Sequence, residues 1–361
     1  MTSVASLRGG AKVRLDAIRG YDERIDVRSP SEFAEDHLPG AASHPVLNDL
    51  QRAHIGKLHA EDSAFAAKRA GAALVANNIA AMLDGPFAAK PPDWAPLVYC
   101  WRGGQRSRSL THILNEIGWR AVQLDGGYRV YRRHIVKELE TLPGKYRYEV
   151  ICGLTGSGKS WLIAALANEG AQVLDLEAIA RHRGSLLGDL PDQPQPTQKS
   201  FDSALISALE RFDASRPVYV ESESKRIGAV QVPDALLTAM RTGDCIRIEL
   251  AQAQRIDLLK QEYGHFLLDR AALTARLDHL APLHGKKTIE RWNAAVAAGD
   301  WDLLVDELLK LHYDPLYLRS IGKNFPRSAD AMDVAPTDVS GSAFLTLARE
   351  VDARVQARFH R

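Results

Sequence analysis

The chain has 361 residues, 45% hydrophobic and 25% charged, which excludes intrinsic disorder and leaves room for two domains with a core each. Lys and Arg number 46 against 45 Asp and Glu, a net of +1, which excludes a protein that is basic throughout but not one with a local basic patch. Cys100, Cys152 and Cys245 are too few and too scattered for a disulfide framework or a zinc cluster. The first twenty residues lack the apolar core of a signal peptide, and no run approaches the ~18 apolar residues of a membrane span. A cytoplasmic, membrane-free protein is therefore expected.

In chain order, residues 24–28 alternate as a strand, 29–33 open a short helix, and 38–41 turn into the next strand. The Ala-rich stretch 64–82 predicts a helix ended by Asp84-Gly85-Pro86. Residues 96–100 predict a short buried strand. Leu110, Ile113, Leu114 and Ile117 then fall on one helical face, with Gly118 as the stop. Strand 121–124 and helix 128–142 follow, and Pro143-Gly144-Lys145 marks a domain boundary. The second half predicts strand 148–152, a helix from Lys159, strand 172–176, a polar segment 191–199, a helix near 201–212 and strands 217–221 and 245–250. Mostly helical sequence continues to about 318, residues 326–342 read as a polar linker, and an amphipathic helix closes the chain. Strands alternating with helices in both halves predict α/β domains with largely parallel sheets.

Residues 153–160, Gly-Leu-Thr-Gly-Ser-Gly-Lys-Ser, satisfy G-x-x-x-x-G-K-[ST] between a strand and a helix. Such a loop curls backbone N–H groups around an oxyanion at a helix N-terminus. Gly153, Thr155, Gly156, Ser157, Gly158, Lys159 and Ser160 are the expected phosphate-binding residues, with Lys159 reaching the terminal phosphate and Ser160 taking a Mg²⁺ position. Glu221, with Glu223 as a second candidate, and Asp175 or Glu177 end nearby strands and could complete the metal site. The loop specifies a polyphosphate without specifying which one.

Cys100 ends a predicted buried strand and is followed by Trp101-Arg102-Gly103-Gly104-Gln105-Arg106-Ser107. Loop N–H groups and a helix N-terminus favour a thiolate there, and Arg106, with Arg102, would hold a tetrahedral oxyanion. Cys152 and Cys245 lie in predicted core strands and are expected to be inert. Both cysteine-dependent phosphatases and chalcogen transferases suit the Cys-x5-Arg spacing. Between Arg102 and Arg133 there are seven arginines against Glu116 and Asp125, a local charge of +5. With Trp119, Tyr128 and Tyr131 interleaved, this stretch suits nucleic-acid phosphates and base stacking.

Asp26-Val27-Arg28 through Glu32-Phe33, then His37-Leu38-Pro39-Gly40-Ala41, resembles the signature of the rhodanese domain. A rhodanese-like domain ahead of a P-loop domain, with Cys-Trp-Arg-Gly-Gly-x-Arg-Ser, resembles the tRNA 2-selenouridine synthase family. Matching stretches include 124–129, 153–160, 175–177 with 182–185, 195–201, 220–224 with 227–228, and 312–315. The resemblance implies a rhodanese-like parallel-sheet domain over residues 1–142 and a P-loop NTPase-like α/β domain with a helical C-terminal part over 143–361. It implies replacement of the sulfur of wobble 2-thiouridine in tRNA by selenium from selenophosphate, through an S-geranylated nucleoside made from geranyl diphosphate. Cys100 would act in the selenium step, carrying a perselenide or assisting displacement of the geranylthiol. Residues 153–160 and Arg183 would bind the diphosphate, with Mg²⁺. Ser222 stands where that pattern has an acid. The tRNA partner is implied, as is transient contact with a selenophosphate-producing enzyme. A P-loop kinase or NTPase with an accessory rhodanese domain, and a Cys-x5-Arg phosphatase, are the alternatives.

Overall fold

The structure is a computed structural model that describes residues 11–359 apart from 192. Two compact units divide it. The first runs to Glu138 and takes in Lys199–Ala204; the second comprises Leu139–Gln198 and Leu205 onward.

The first unit is built on five strands, β1 (Lys12–Val13), β2 (Glu23–Asp26), β3 (Ala41–Ser43), β4 (Pro96–Tyr99) and β5 (Val122–Leu124), in the spatial order β1-β5-β4-β2-β3. Every pairing is parallel. β4 is buried along its whole length, which is why it reads as an unbroken apolar run rather than an alternation. Helices cover the sheet. Pro30–Glu35 starts with a Ser29–Glu32 capping box, and Gln105–Ile117 stops at Gly118 in the left-handed conformation, φ 109°. The helix Asp49–Glu61, absent from the sequence-based expectation, begins with an Asn48–Gln51 capping box and has no buried residue. Its apolar signal is accordingly weak.

The second unit carries β6 (Tyr148–Cys152), β7 (Gln172–Leu174), β8 (Val218–Glu221), a small antiparallel hairpin of β9 (Arg226–Ile227) and β10 (Val230–Gln231), β11 (Asp244–Ile248) and β12 (Met332–Val334). The main sheet is parallel in the order β12-β11-β6-β8-β7. β12 corrects the expected linker at 326–342. Met332, Asp333 and Val334 pair with Ile246, Arg247 and Ile248 at the sheet edge, after one turn of 3-10 helix over Pro326–Asp330. The closing helix Gly341–Phe359 buries Phe344, Leu347, Ala348, Val351 and Val355 in a cluster with Leu162, Ile163 and Leu166. The helices between Arg270 and Leu308 enclose a core of their own around Trp292, Leu277 and Leu304. Among the described residues no helix is long and apolar enough to cross a membrane.

Candidate functional site

Central strands of parallel sheets deliver their carboxyl ends to crevices where ligands bind, and both units use that position. In the first, β4 leads into Cys100, which is 3% exposed. Its Sγ accepts hydrogen bonds from the Gly104 N–H and the Ser107 hydroxyl, both at 3.3 Å. Gln123 Nε2 in turn donates to Ser107 Oγ at 2.8 Å. Both donors are aimed at the sulfur from the loop and the first turn of the following helix.

The loop is braced by Gly126-Gly127 after β5. Tyr128 N–H donates to the Cys100 carbonyl at 2.9 Å and Arg129 N–H to that of Trp101 at 3.0 Å. Gly127 has φ +59°, and a Cβ there would lie 2.2 Å from the Cys100 carbonyl oxygen, so only glycine fits. The sequence showed this pair, but its role as a backbone brace depends on a non-local approach.

Arg106 does not stand free. Its Nη1 pairs with Glu32 Oε2 at 2.9 Å, and Arg52 joins the same oxygen at 3.0 Å. Burial alone would raise the Glu32 carboxyl; the Arg106 hydrogen bond and the two positive charges hold it below its ordinary value. An anion on Arg106 must therefore compete with Glu32. Arg102 is exposed. Of the remaining arginines, 108, 120, 129 and 133 are exposed, whereas Arg132 pairs with Asp202 at 2.5 Å. The aromatic part of the basic-patch expectation is corrected: Tyr128 and Tyr131 are 1% and 4% exposed. Tyr128 donates its hydroxyl to Asp36 at 2.7 Å and packs under Arg28, 3.9 Å from ring to guanidinium carbon. Their rings belong to the core and offer no face to a base.

In the second unit the 153–160 loop follows β6 and Gly158 caps the helix Lys159–Asn168. A cavity of about 950 Å³ is lined by Thr155, Gly156, Gly158, Lys159, Ser160 and Arg183 from the expected set. Gly153 and Ser157 instead line a separate recess behind the loop, about 420 Å³. Lys159 Nζ donates to the carbonyls of Gly153 at 3.0 Å and Leu154 at 3.3 Å, and lies 5.7 Å from the Tyr317 ring centre. The Gly153 N–H donates to Tyr317 Oη at 2.7 Å. Arg183 donates to the Glu262 carbonyl and stacks 4.8 Å over Tyr263.

Facing the loop, carboxylate oxygens of Glu177, Glu221 and Glu223 all lie within 4.8 Å of one another, and Ser160 Oγ donates to Glu177 at 3.4 Å. Burial raises all three, and mutual repulsion adds, taking Glu177 up to about 10 and Glu221 up to about 7. Glu221 is 4% exposed, and its Oε1 has no hydrogen-bond partner. A buried, unpartnered carboxylate among like charges fits a divalent cation with oxygen ligands. Asp175 accepts the Ala178 N–H at 2.8 Å as the N-cap of Leu176–Ala180, and its charge also raises all three glutamates. The mutually close oxygens are those of Glu177, Glu221 and Glu223, with Asp175 acting on them from the start of the same helix as Glu177.

A second, narrower recess of about 70 Å³ shares Thr155, Ser185, Leu259, Tyr263 and Tyr313 with the main cavity. Beyond them its wall is almost wholly apolar, with Phe266, Leu273, Trp301, Leu304 and Leu308.

Two sequence profiles match the chain: the tRNA 2-selenouridine synthase AAA domain over residues 146–281 and the rhodanese-like domain over 14–134. Among curated proteins, the chain is 36% identical over 247 residues to the tRNA 2-selenouridine synthase of Nitrosomonas europaea, covering 66% of this chain and 63% of that one. It is 34% identical over 248 residues to that of Aeromonas salmonicida, covering 67% and 65%. With that of Hydrogenovibrio crunogenus the identity is 33% over 249 residues, covering 66% and 67%. The matched region thus spans about two thirds of these relatives' length.

Proposed function

The chain belongs to the tRNA 2-selenouridine synthase family, and on that premise we propose that it converts wobble 2-thiouridine in tRNA to 2-selenouridine in two steps. In the first, the 2-thio sulfur displaces diphosphate from geranyl diphosphate. In the second, selenium from selenophosphate replaces the geranylthiol at C2, with Cys100 as the required thiol. The activity is that of a transferase.

The observation that carries this reading is the apolar recess opening off the P-loop cavity. The loop amides, Lys159 and Arg183 take the diphosphate, and the recess takes the end of a hydrocarbon chain. The geometry suits an amphiphilic diphosphate ester better than a nucleotide, since beyond the residues shared with the main cavity the recess wall is apolar apart from Lys260. Glu177, Glu221, Glu223 and Ser160 would hold Mg²⁺, which supplies charge neutralisation for the departing diphosphate. Lys159 would leave the Gly153 and Leu154 carbonyls for the diphosphate oxygens. At Cys100, the Gly104 and Ser107 donors hold the sulfur anion that the selenium step requires. The exposed Arg102, Arg108, Arg129 and Arg133 would contact tRNA phosphates.

Thermal-shift titration tests the ligand assignment. With Mg²⁺ present, geranyl diphosphate should raise the melting temperature at lower concentration than ATP or inorganic diphosphate. Preference for ATP would favour a nucleotide-using P-loop instead.

A further inference from the structure

Alkylating the sulfur of a 2-thiouridine converts a thiourea into an isothiourea, so the N3 proton must leave. None of the residues assigned so far takes it. The P-loop cavity has one buried imidazole in its wall, His312, 8% exposed. It sits in a single π-helical turn, Leu309–Tyr313, an insertion that recurs at functional sites. Its Nδ1 lies 3.0 Å from His284 Nε2, and the His284 ring packs against Trp292 with centres 5.1 Å apart. Nε2 of His312 has no protein partner among the described residues.

We propose that His312 is the general base of the alkylation step and that His284 is its positioning residue; this rests on the reading of the P-loop cavity given above. His312 donates its Nδ1–H to His284, which leaves the Nε2 lone pair for the substrate. The 2-thio sulfur forms its bond to C1 of the prenyl group, and the C1–O bond breaks with its electron pair going to diphosphate. The N3 proton passes to His312 Nε2, and the N3–H electron pair closes the C2–N3 double bond. The products are the S-alkylated nucleoside, diphosphate and a histidinium whose proton returns to solvent.

Two further observations agree with this role. Burial, and then the neighbouring His284, push the His312 imidazole below its ordinary value, so it is neutral at neutral pH. On the helices flanking this turn, Asp302 is paired with Lys260, Asp306 with Lys310, Glu307 with Arg291 and Asp314 with Arg255, while Arg319 and Lys323 lie further along the second of them. From the cavity, Tyr263 and Tyr313 are held neutral by burial, and Arg183, Glu262, Lys159, Glu177, Glu221 and Glu223 are the charged or titratable groups of the same lining.

The test uses the full chain with 2-thiouridine tRNA and geranyl diphosphate, without selenophosphate, quantifying the S-geranylated nucleoside by mass spectrometry from mildly acid to alkaline pH. His312→Gln should lose ~100-fold in rate near neutrality with unchanged KM for geranyl diphosphate. The deficit should shrink as pH rises and the nucleoside loses its N3 proton unaided. His284→Gln, which removes the neighbour that depresses His312, should move the acid limb to higher pH. A His312→Gln protein with wild-type rate and profile, or one slowed by the same factor at every pH, would overturn the proposal. A wild-type protein that forms no alkylated nucleoside would overturn the reading of the cavity, and this role with it.

Discussion

Arg255 and Asp314 form a bidentate ion pair, Nη2 to Oδ1 at 2.6 Å and Nη1 to Oδ2 at 3.0 Å, and the same guanidinium donates to the Thr155 carbonyl from Nε at 2.9 Å and Nη2 at 2.7 Å. The phosphate loop is therefore pinned by the helix Gln252–Glu262, and that helix by the residue following the π-helical turn. The planar fork makes four of these bonds at once, which a lysine cannot. Removing one partner of a buried pair costs about 3–5 kcal/mol; Asp314, 18% exposed, keeps some water and places the cost at the low end. Arg255→Met should lower stability by about 3 kcal/mol in urea unfolding and weaken diphosphate binding. Asp314→Leu added to it should recover part of the stability but not the binding. Full recovery of both would mean that the loop holds its shape without the brace.

The Ser107 hydroxyl is one of two donors to Cys100 Sγ. Ser107→Ala should slow carbamidomethylation of Cys100 by iodoacetamide several-fold at neutral pH, since the reacting sulfur loses a hydrogen bond worth about 1–2 kcal/mol. Gln123→Leu, one bond further away, should have a smaller effect in the same direction. Peptide mass mapping of the alkylated cysteine separates this from reaction at Cys152 or Cys245, which are both buried.

Much of this is legible in the amino-acid sequence. β4 is a continuous apolar run and β6 one broken only by Glu149, each leads into a glycine-rich loop, and both loops lie where parallel-sheet topology places ligands. What escaped has two physical sources. The first is short local signals that were open to reading: Asp175 three residues before Ala178 is an N-cap spacing, and Asn48 with Gln51 a capping box. The second is non-local pairing. Met332–Val334 is three residues long between two prolines, and it becomes a strand because Ile246–Ile248 offers it a free edge. Likewise nothing in the spacing of Arg106 and Glu32, 74 residues apart, indicates that the arginine is already paired. The burial of Tyr128 and Tyr131, too, follows from packing rather than from composition.

Glu223 and Glu177 beside Glu221, with Asp175 engaged as a helix cap, give a separate expectation for Mg²⁺. Titration of Mg²⁺ should raise the melting temperature of the wild type, and Glu221→Gln should abolish most of that rise. Asp175→Ala should cost about 1 kcal/mol through the lost cap yet keep the Mg²⁺ response. The opposite pattern would return Asp175 to the metal site.

Glu149 on β6 is 4% exposed and bonded to Arg358. Burial raises its carboxyl to about 7 despite the attraction of Arg358. The folded state therefore binds a proton that the unfolded chain has released between about pH 4.5 and 7, so stability falls as pH rises through that window. The loss attributable to this group is on the order of 3 kcal/mol. Glu149→Gln should flatten that part of the stability profile, measured by urea unfolding across the range. An unchanged slope would show that Glu149 ionises in the fold as readily as outside it.

The central claim is that one chain performs alkylation at the P-loop and selenium transfer at Cys100. Its most direct test is incubation of the wild type, Cys100→Ala and Lys159→Ala with 2-thiouridine tRNA, geranyl diphosphate and selenophosphate, followed by mass spectrometry of the nucleosides. The wild type should yield 2-selenouridine, Cys100→Ala should stop at the S-geranylated nucleoside, and Lys159→Ala should form little of either. Formation of 2-selenouridine by Cys100→Ala, or the absence of both products from the wild type, would contradict the account.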